Sequence, residues 1–123
     1  MKIKGIVISG MGLGRFYVSK KGYMRVFAKE LKCDECNIFR GTLNIKLNSI
    51  TWRELPLRIF SPPSSSPILY ARGKIFEDFV IVLRPEKSRH SEDVVEIVAE
   101  CNLREKYMLK DGDEVLVELV DVE

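Results

Sequence analysis

Thr42 and Asn44 stand two residues apart in the run Gly41-Thr42-Leu43-Asn44-Ile45-Lys46-Leu47, and their oxygen-bearing side chains are the first candidates for chemistry in this chain. The strict alternation of the run predicts a half-buried strand with Leu43, Ile45 and Leu47 facing inward. Thr42 and Asn44 then share the opposite, wetted face, with Cα atoms roughly 7 Å apart, a span over which two oxygens can hold one hard cation. Mg2+ prefers oxygen ligands, keeps several waters and commonly bridges protein to substrate phosphates, so the pair points to phosphoryl transfer from a metal-bound nucleotide. The same two residue types also occur on any wetted strand face, where they do no more than meet solvent.

A second group lies at Gly10-Met11-Gly12-Leu13-Gly14-Arg15, directly after the strand-like run Ile3 to Ser9. Glycines at alternate positions let backbone N–H groups point into one concavity, and Arg15 adds a fixed positive charge; together they suit an oligophosphate. The spacing is neither the dinucleotide fingerprint nor the GxxxxGK[ST] phosphate loop, so a standard ATPase reading has no motif to rest on. Turn formation alone would also account for the glycines.

A third group is the charged loop Pro85-Glu86-Lys87-Ser88-Arg89-His90, followed by the apolar run Val94 to Ala99 and by Asn102-Leu103-Arg104-Glu105. With the three groups in this order, the chain resembles the archaeal-type CTP-dependent riboflavin kinases. These share a glycine-rich loop ending in Gly-Arg, a Gly-Thr-Leu-Asn strand, a Pro-x-Lys-(Thr/Ser)-x-His loop and a Leu-Arg-Glu segment. The resemblance covers nearly the whole chain and is most specific at residues 10 to 17, 41 to 47 and 85 to 115.

The resemblance implies a role for each matching residue. Gly10, Met11, Gly12, Leu13, Gly14 and Arg15 would bind the cytidine nucleotide, completed by Cys101, Asn102, Leu103 and Arg104. Thr42 and Asn44 would hold Mg2+. Ser88 and Glu96 would contact the flavin, with Glu96 also the candidate for accepting the hydroxyl proton. Members of the family usually carry Thr where this chain has Ser88, which keeps the hydroxyl and loses a methyl. Lys87 and His90 lie in the same loop, either touching phosphate or flavin or simply solvated. The implied reaction moves the γ-phosphoryl group of CTP to the riboflavin 5′-hydroxyl, giving FMN and CDP.

These residues need a scaffold, and the 123-residue length fits a single domain. With 46% hydrophobic and 31% charged residues the composition is that of a globular protein, and no apolar run is long enough to span a bilayer. The N-terminus enters a strand pattern without a signal-peptide apolar region, so we expect a cytoplasmic protein, and a monomer. A net charge of +2, with basic residues interleaved among 18 acidic ones, argues against a broad nucleic-acid-binding face. Three cysteines do not make a disulfide scaffold. Cys33 and Cys36 form a C-x-x-C after a helix rather than opening one, and too few ligands remain for zinc. That leaves a loop without chemistry, or a structural disulfide of the kind hyperthermophiles use.

The pattern predicts strands near Ile3 to Ser9, Arg15 to Ser19, Gly41 to Leu47, Leu57 to Phe60, Ile68 to Ile75, Phe79 to Leu83, Val94 to Ala99 and Glu114 to Val120. Helices are expected over Gly22 to Lys32, with Met24, Phe27 and Leu31 as the buried stripe, and over Leu103 to Met108. Ser61 to Pro67 reads as a surface loop, since three prolines deny the backbone donors that a sheet requires. The fold class is mainly β, and the family resemblance implies a six-stranded cradle-loop barrel with one or two short helices. One alternative comes from Lys110-Asp111-Gly112-Asp113, a turn similar to that of swapped-hairpin transcription regulators. In the plain reading of that turn, Gly112 supplies positive φ while the two aspartates cap and solvate it.

Overall fold

Two-residue alternation is strictest in β1 (Lys2–Ile8) and β7 (Glu114–Leu119), where apolar side chains are buried at every second position and the residues between them face out. The remaining strands are β2 (Leu43–Leu47), β3 (Arg58–Phe60), β4 (Ile68–Ile75), β5 (Asp78–Pro85) and β6 (Val94–Val98); helices α1 (Lys21–Leu31) and α2 (Leu103–Lys106) accompany them. The structure, a computed structural model, describes residues 1–10, 17–18, 20–63 and 65–120. Among the described residues, no helix is long and apolar enough to cross a membrane.

All strand pairs are antiparallel, in the order β4-β5-β6-β2-β1-β7, and β7 returns to β4 through Gly73↔Leu119 and Lys74↔Glu118. The sheet is therefore a closed six-stranded barrel, a form that removes the unpaired edges of an open sheet. β3 adds a seventh strand outside the ring. It pairs with the first residues of β4 (Phe60↔Ile68 to Arg58↔Tyr70), leaving the later residues of β4 to pair with β7.

The barrel interior is filled by alternate residues of each strand, among them Val7, Ile45, Ile75, Val80, Val82, Ile97 and Val117. A second core lies outside the ring. There Tyr23, Met24, Phe27 and Leu31 of α1 pack with Ile81, Leu83 and Val98, the residues of β5 and β6 that point away from the barrel axis. As a result β5 from Val80 onward and all of β6 are buried on both faces and read as apolar runs, interrupted by Arg84 and Glu96, rather than as alternating ones. The helix stops at Lys32, whose backbone is left-handed (φ 56°), and the Cys33 N–H donates back to the Ala28 carbonyl.

The elements follow the expected ones closely, with one exception. A strand over residues 15 to 19 is not formed in its described part: Tyr17 has helical backbone and Val18 lies in a turn. Both are buried in the second core, and consecutive residues entering one core are incompatible with a pleated strand, which sends neighbours to opposite faces. Smaller shifts are that β2 begins at Leu43, leaving Gly41 and Thr42 in the approach, and that β5 extends to Pro85 because it pairs along the full length of β4. Cys33 is half-buried and Cys36 exposed, and both are free thiols, as is Cys101. The proline-rich loop is tied down by the Tyr23 hydroxyl, which donates to the Ser66 carbonyl at 2.5 Å.

Gly5 marks the tightest approach inside the ring. A Cβ there would lie 2.1 Å from Ile45 Cγ2 and 2.9 Å from the Lys46 carbonyl oxygen. Gly5→Ala should therefore destabilise by about 1–3 kcal/mol, the usual penalty for overpacking. A urea denaturation midpoint no lower than that of the parent would contradict the close packing.

Candidate functional site

Antiparallel pairing sets Ile8, Asn44 and Glu96 side by side on three neighbouring strands, through Ile8↔Asn44 and Asn44↔Glu96. Thr42, just before β2, donates its hydroxyl to Glu96 Oε1 at 3.1 Å. Thr42 and Asn44 thus share one face with Glu96, but that face is not wetted as the alternation suggested. Asn44 is 7% exposed and Glu96 4%, because the outer side of this part of the barrel is covered rather than left to solvent. Gly10 lies so close that a Cβ on it would stand 2.2 Å from Asn44 Nδ2. Asn44 Oδ1 is buried with no hydrogen-bond partner among the described residues, an oxygen whose desolvation a bound ligand or water would offset.

Burial pushes the Glu96 carboxyl above the ordinary carboxylate range, opposed by the Thr42 hydrogen bond and by the charge of Arg84. Arg84 is itself a buried cation, 7% exposed, at the end of the apolar run of β5. Its guanidinium donates to three backbone carbonyls: Ser91 at 2.7 Å, Val94 at 2.8 Å and His90 at 3.0 Å. It thereby holds the second half of the 86–93 loop against the barrel. Ser88 and His90 are half-buried in that loop and Lys87 is exposed. The Ser88 hydroxyl accepts from the His90 N–H at 3.2 Å, closing a local turn. Burial, then the charge of Arg84, lowers the His90 pKa, so its imidazole is neutral at physiological pH.

On the other side of Glu96 a cleft of about 410 Å3 opens at the barrel rim, within the size range of small-molecule sites. Gly10, Thr42, Asn44, Cys101, Asn102, Leu103 and Arg104 line it, joined by Ser9, Phe39 and Arg40. Asn102 caps α2 by accepting from the Glu105 N–H at 3.2 Å, which fixes where Leu103 and Arg104 enter the wall. Burial raises the Cys101 thiol pKa, so this residue presents a neutral side chain.

Among the described residues, the structure thus gathers Gly10, Cys101, Asn102, Leu103 and Arg104 of the expected nucleotide residues, with Thr42 and Asn44, along one cleft, Glu96 beside it, and Ser88, Lys87 and His90 in a separate loop outside its lining. Met11, Gly12, Leu13, Gly14 and Arg15 lie outside the described residues. The pattern of residue types did not single out Arg84, Ser9, Phe39 or Arg40. For Arg84 a signal existed: a charge that ends an otherwise apolar run and precedes proline has no wetted strand face to occupy.

A family model labelled CTP-dep_RFKase and described as a domain of unknown function, DUF120, matches residues 7–119. The chain belongs to the CTP-dependent riboflavin kinase family. A riboflavin kinase from Pyrobaculum aerophilum is 36% identical over 131 residues, covering 98% of this chain and 61% of that protein. One from Pyrobaculum arsenaticum matches with the same identity and coverage. One from Staphylothermus marinus is 33% identical over 128 residues, covering 100% of this chain and 95% of that protein. The chain spans about three fifths of the length of the Pyrobaculum relatives it matches. Membership in the riboflavin kinase family, rather than among the swapped-hairpin regulators, agrees with the cleft and the buried carboxylate of Glu96 beside it.

The raised Glu96 pKa has a definite sign for stability. A carboxyl that binds its proton more tightly folded than unfolded weakens the fold as pH rises through the ordinary carboxylate range and up to its raised folded pKa. Glu96→Gln, which keeps the acceptor for Thr42, should therefore raise the Tm at neutral pH in the ligand-free protein, and the gain should vanish in acid below the usual carboxylate range. A Tm difference that does not change with pH would contradict the burial of the charge.

Proposed function

We propose that this chain transfers the γ-phosphoryl group of CTP to the 5′-hydroxyl of riboflavin, giving FMN and CDP. The observation that carries the reading is the convergence of Gly10, Thr42, Asn44 and residues 101–104 on one cleft beside the buried carboxylate of Glu96. The names of its family and relatives supply the substrates: riboflavin as acceptor and CTP as donor.

In this reading Gly10 and the segment Met11 to Arg15, with Cys101, Asn102, Leu103 and Arg104, take the cytidine nucleotide. Thr42 and Asn44 hold Mg2+. The residues fit that ion: their side-chain oxygens are the donor type a hard cation takes, and Asn44 Oδ1 is buried without a partner among the described residues. When bound, Mg2+ neutralises phosphate charge as the phosphoryl group leaves. Glu96 accepts the hydroxyl proton of the flavin or orients that hydroxyl, and its burial places its pKa closer to the working pH of a general base. Ser88 contacts the flavin with its hydroxyl. His90, being neutral, serves as a hydrogen-bonding group rather than a counter-charge, and Lys87 is free to reach phosphate from its exposed position. The protein works as a cytoplasmic monomer without nucleic-acid partners.

Incubating the purified protein with riboflavin, Mg2+ and either CTP or ATP, then separating the flavins by chromatography, tests the reading. FMN is expected with CTP and not with ATP. FMN with ATP alone would overturn the donor, and FMN with neither would overturn the kinase. Asn44→Ala should cut turnover at limiting Mg2+ by roughly 10-fold or more while leaving riboflavin binding, read by quenching of flavin fluorescence, nearly intact. Unchanged turnover would remove Asn44 from the metal site.

A further inference from the structure

The Asp-Gly-Asp turn between α2 and β7 carries one carboxylate more than the turn needs. Gly112 adopts φ 96° and Asp113 caps the turn, accepting from the Lys110 N–H at 2.7 Å. Two backbone hydrogen bonds dock the turn on the end of β1: Gly112 N–H to the Val7 carbonyl and Val7 N–H to the Asp113 carbonyl, each 2.8 Å. Asp111 takes no part in either task. Its Oδ1 accepts from Arg104 Nη2 at 2.9 Å, and its Oδ2 accepts from the hydroxyl of Ser9. The same Arg104 nitrogen also donates to the Ile8 carbonyl at 3.3 Å. Ser9, Gly10 and Arg104 all line the cleft, whereas Asp111 does not.

We propose that Asp111 is a positioning residue for the nucleotide: its carboxylate holds the Arg104 guanidinium and the root of the glycine-rich segment at a fixed separation, so that both meet the phosphate chain of CTP. This rests on the nucleotide role of Arg104 given above. An unrestrained arginine must lose considerable rotamer freedom when it grips a phosphate; one already held by a carboxylate and a carbonyl loses less, and the saving appears as affinity. The guanidinium keeps donors beyond the nitrogen engaged by Asp111 and Ile8, so it remains able to bind an anion. The pair contributes little to folding, because both side chains are about half exposed and surface ion pairs of this kind add little stability. A loss caused by removing Asp111 is therefore separable from loss of the fold. The Ser9 hydroxyl, then Arg104, holds the Asp111 carboxyl below the usual range, so the carboxylate stays charged wherever the protein would work.

The test compares the full chain with Asp111→Asn, Asp111→Glu and Ser9→Ala. It measures KM for CTP, KM for riboflavin and kcat in the FMN assay, and CTP affinity by calorimetry without riboflavin. Asp111→Asn should raise the KM and the dissociation constant for CTP by about 10-fold, with KM for riboflavin within about twofold of the parent. Asp111→Glu should restore part of the affinity, and Ser9→Ala should reproduce part of the loss. Unchanged CTP affinity, tighter CTP binding, or equal losses toward both substrates without rescue by Asp111→Glu would each overturn the proposal. If the parent binds CTP but makes no FMN, the kinase reading falls while the affinity ratio still decides the role of Asp111. If the parent binds no CTP, the role of Asp111 falls with it.

Discussion

Glu96 lies on a strand face that a bare six-stranded barrel would leave in water. Helix α1, together with Tyr17 and Val18, packs on the outer side of β5 and β6 and takes that side out of solvent. An isolated buried carboxylate costs several kcal/mol unless it is neutralised or hydrogen-bonded. Here the Thr42 hydroxyl and the nearby charge of Arg84 offset part of that cost, and the remainder appears as a raised pKa. The second core is thus more than extra stability for a small domain, since it packs on the outer side of the strand that carries Glu96.

Arg84 extends the same logic to the neighbouring loop. Residues 86–93 have little apolar content to hold them, and the carbonyls of His90, Ser91 and Val94 instead converge on one guanidinium whose fixed fork can donate to all three together. The positive charge that holds the loop also acts on Glu96 and on His90, favouring ionisation of the first and neutrality of the second. Changing Arg84 would accordingly shift loop order and the protonation of both groups at once, so no single substitution there reports on only one of them.

Most of the fold was legible because barrel strands alternate and α1 carries a clear 3.6-residue stripe at Met24, Phe27 and Leu31, all three buried. The legibility fails where a face is covered by an element distant in sequence. Asn44 reads as solvent-facing from its neighbours alone, yet it is buried, with Gly10 packed close against its side chain. Tyr17 and Val18 read as strand because β-branched and aromatic residues favour strands, yet tertiary burial in one core decided otherwise. Asp111 shows the same limit: local turn chemistry accounts for Asp113, while the partners of Asp111 are 102 residues away at Ser9 and 7 residues away at Arg104.

Strand direction explains why the candidate residues collect where they do. In antiparallel neighbours the end of β1, the start of β2 and the end of β6 fall on one rim, so residues 8–10, 41–44 and 97–104 meet there without any long connection. The 86–93 loop enters β6 from the opposite end. Strand β6 is only five residues long, roughly 13 Å from Val94 to Val98, and Glu96 is its midpoint. A donor gripped at one rim and an acceptor gripped by the loop at the other would therefore have their reacting groups brought toward the same carboxylate. Lengthening β6 by two residues would preserve every face assignment and both loops, yet carry the two ends roughly 7 Å further apart. Under the proposed kinase reading, the shortness of this strand, as much as the identity of its central residue, would keep groups bound at its two ends within reach of one another.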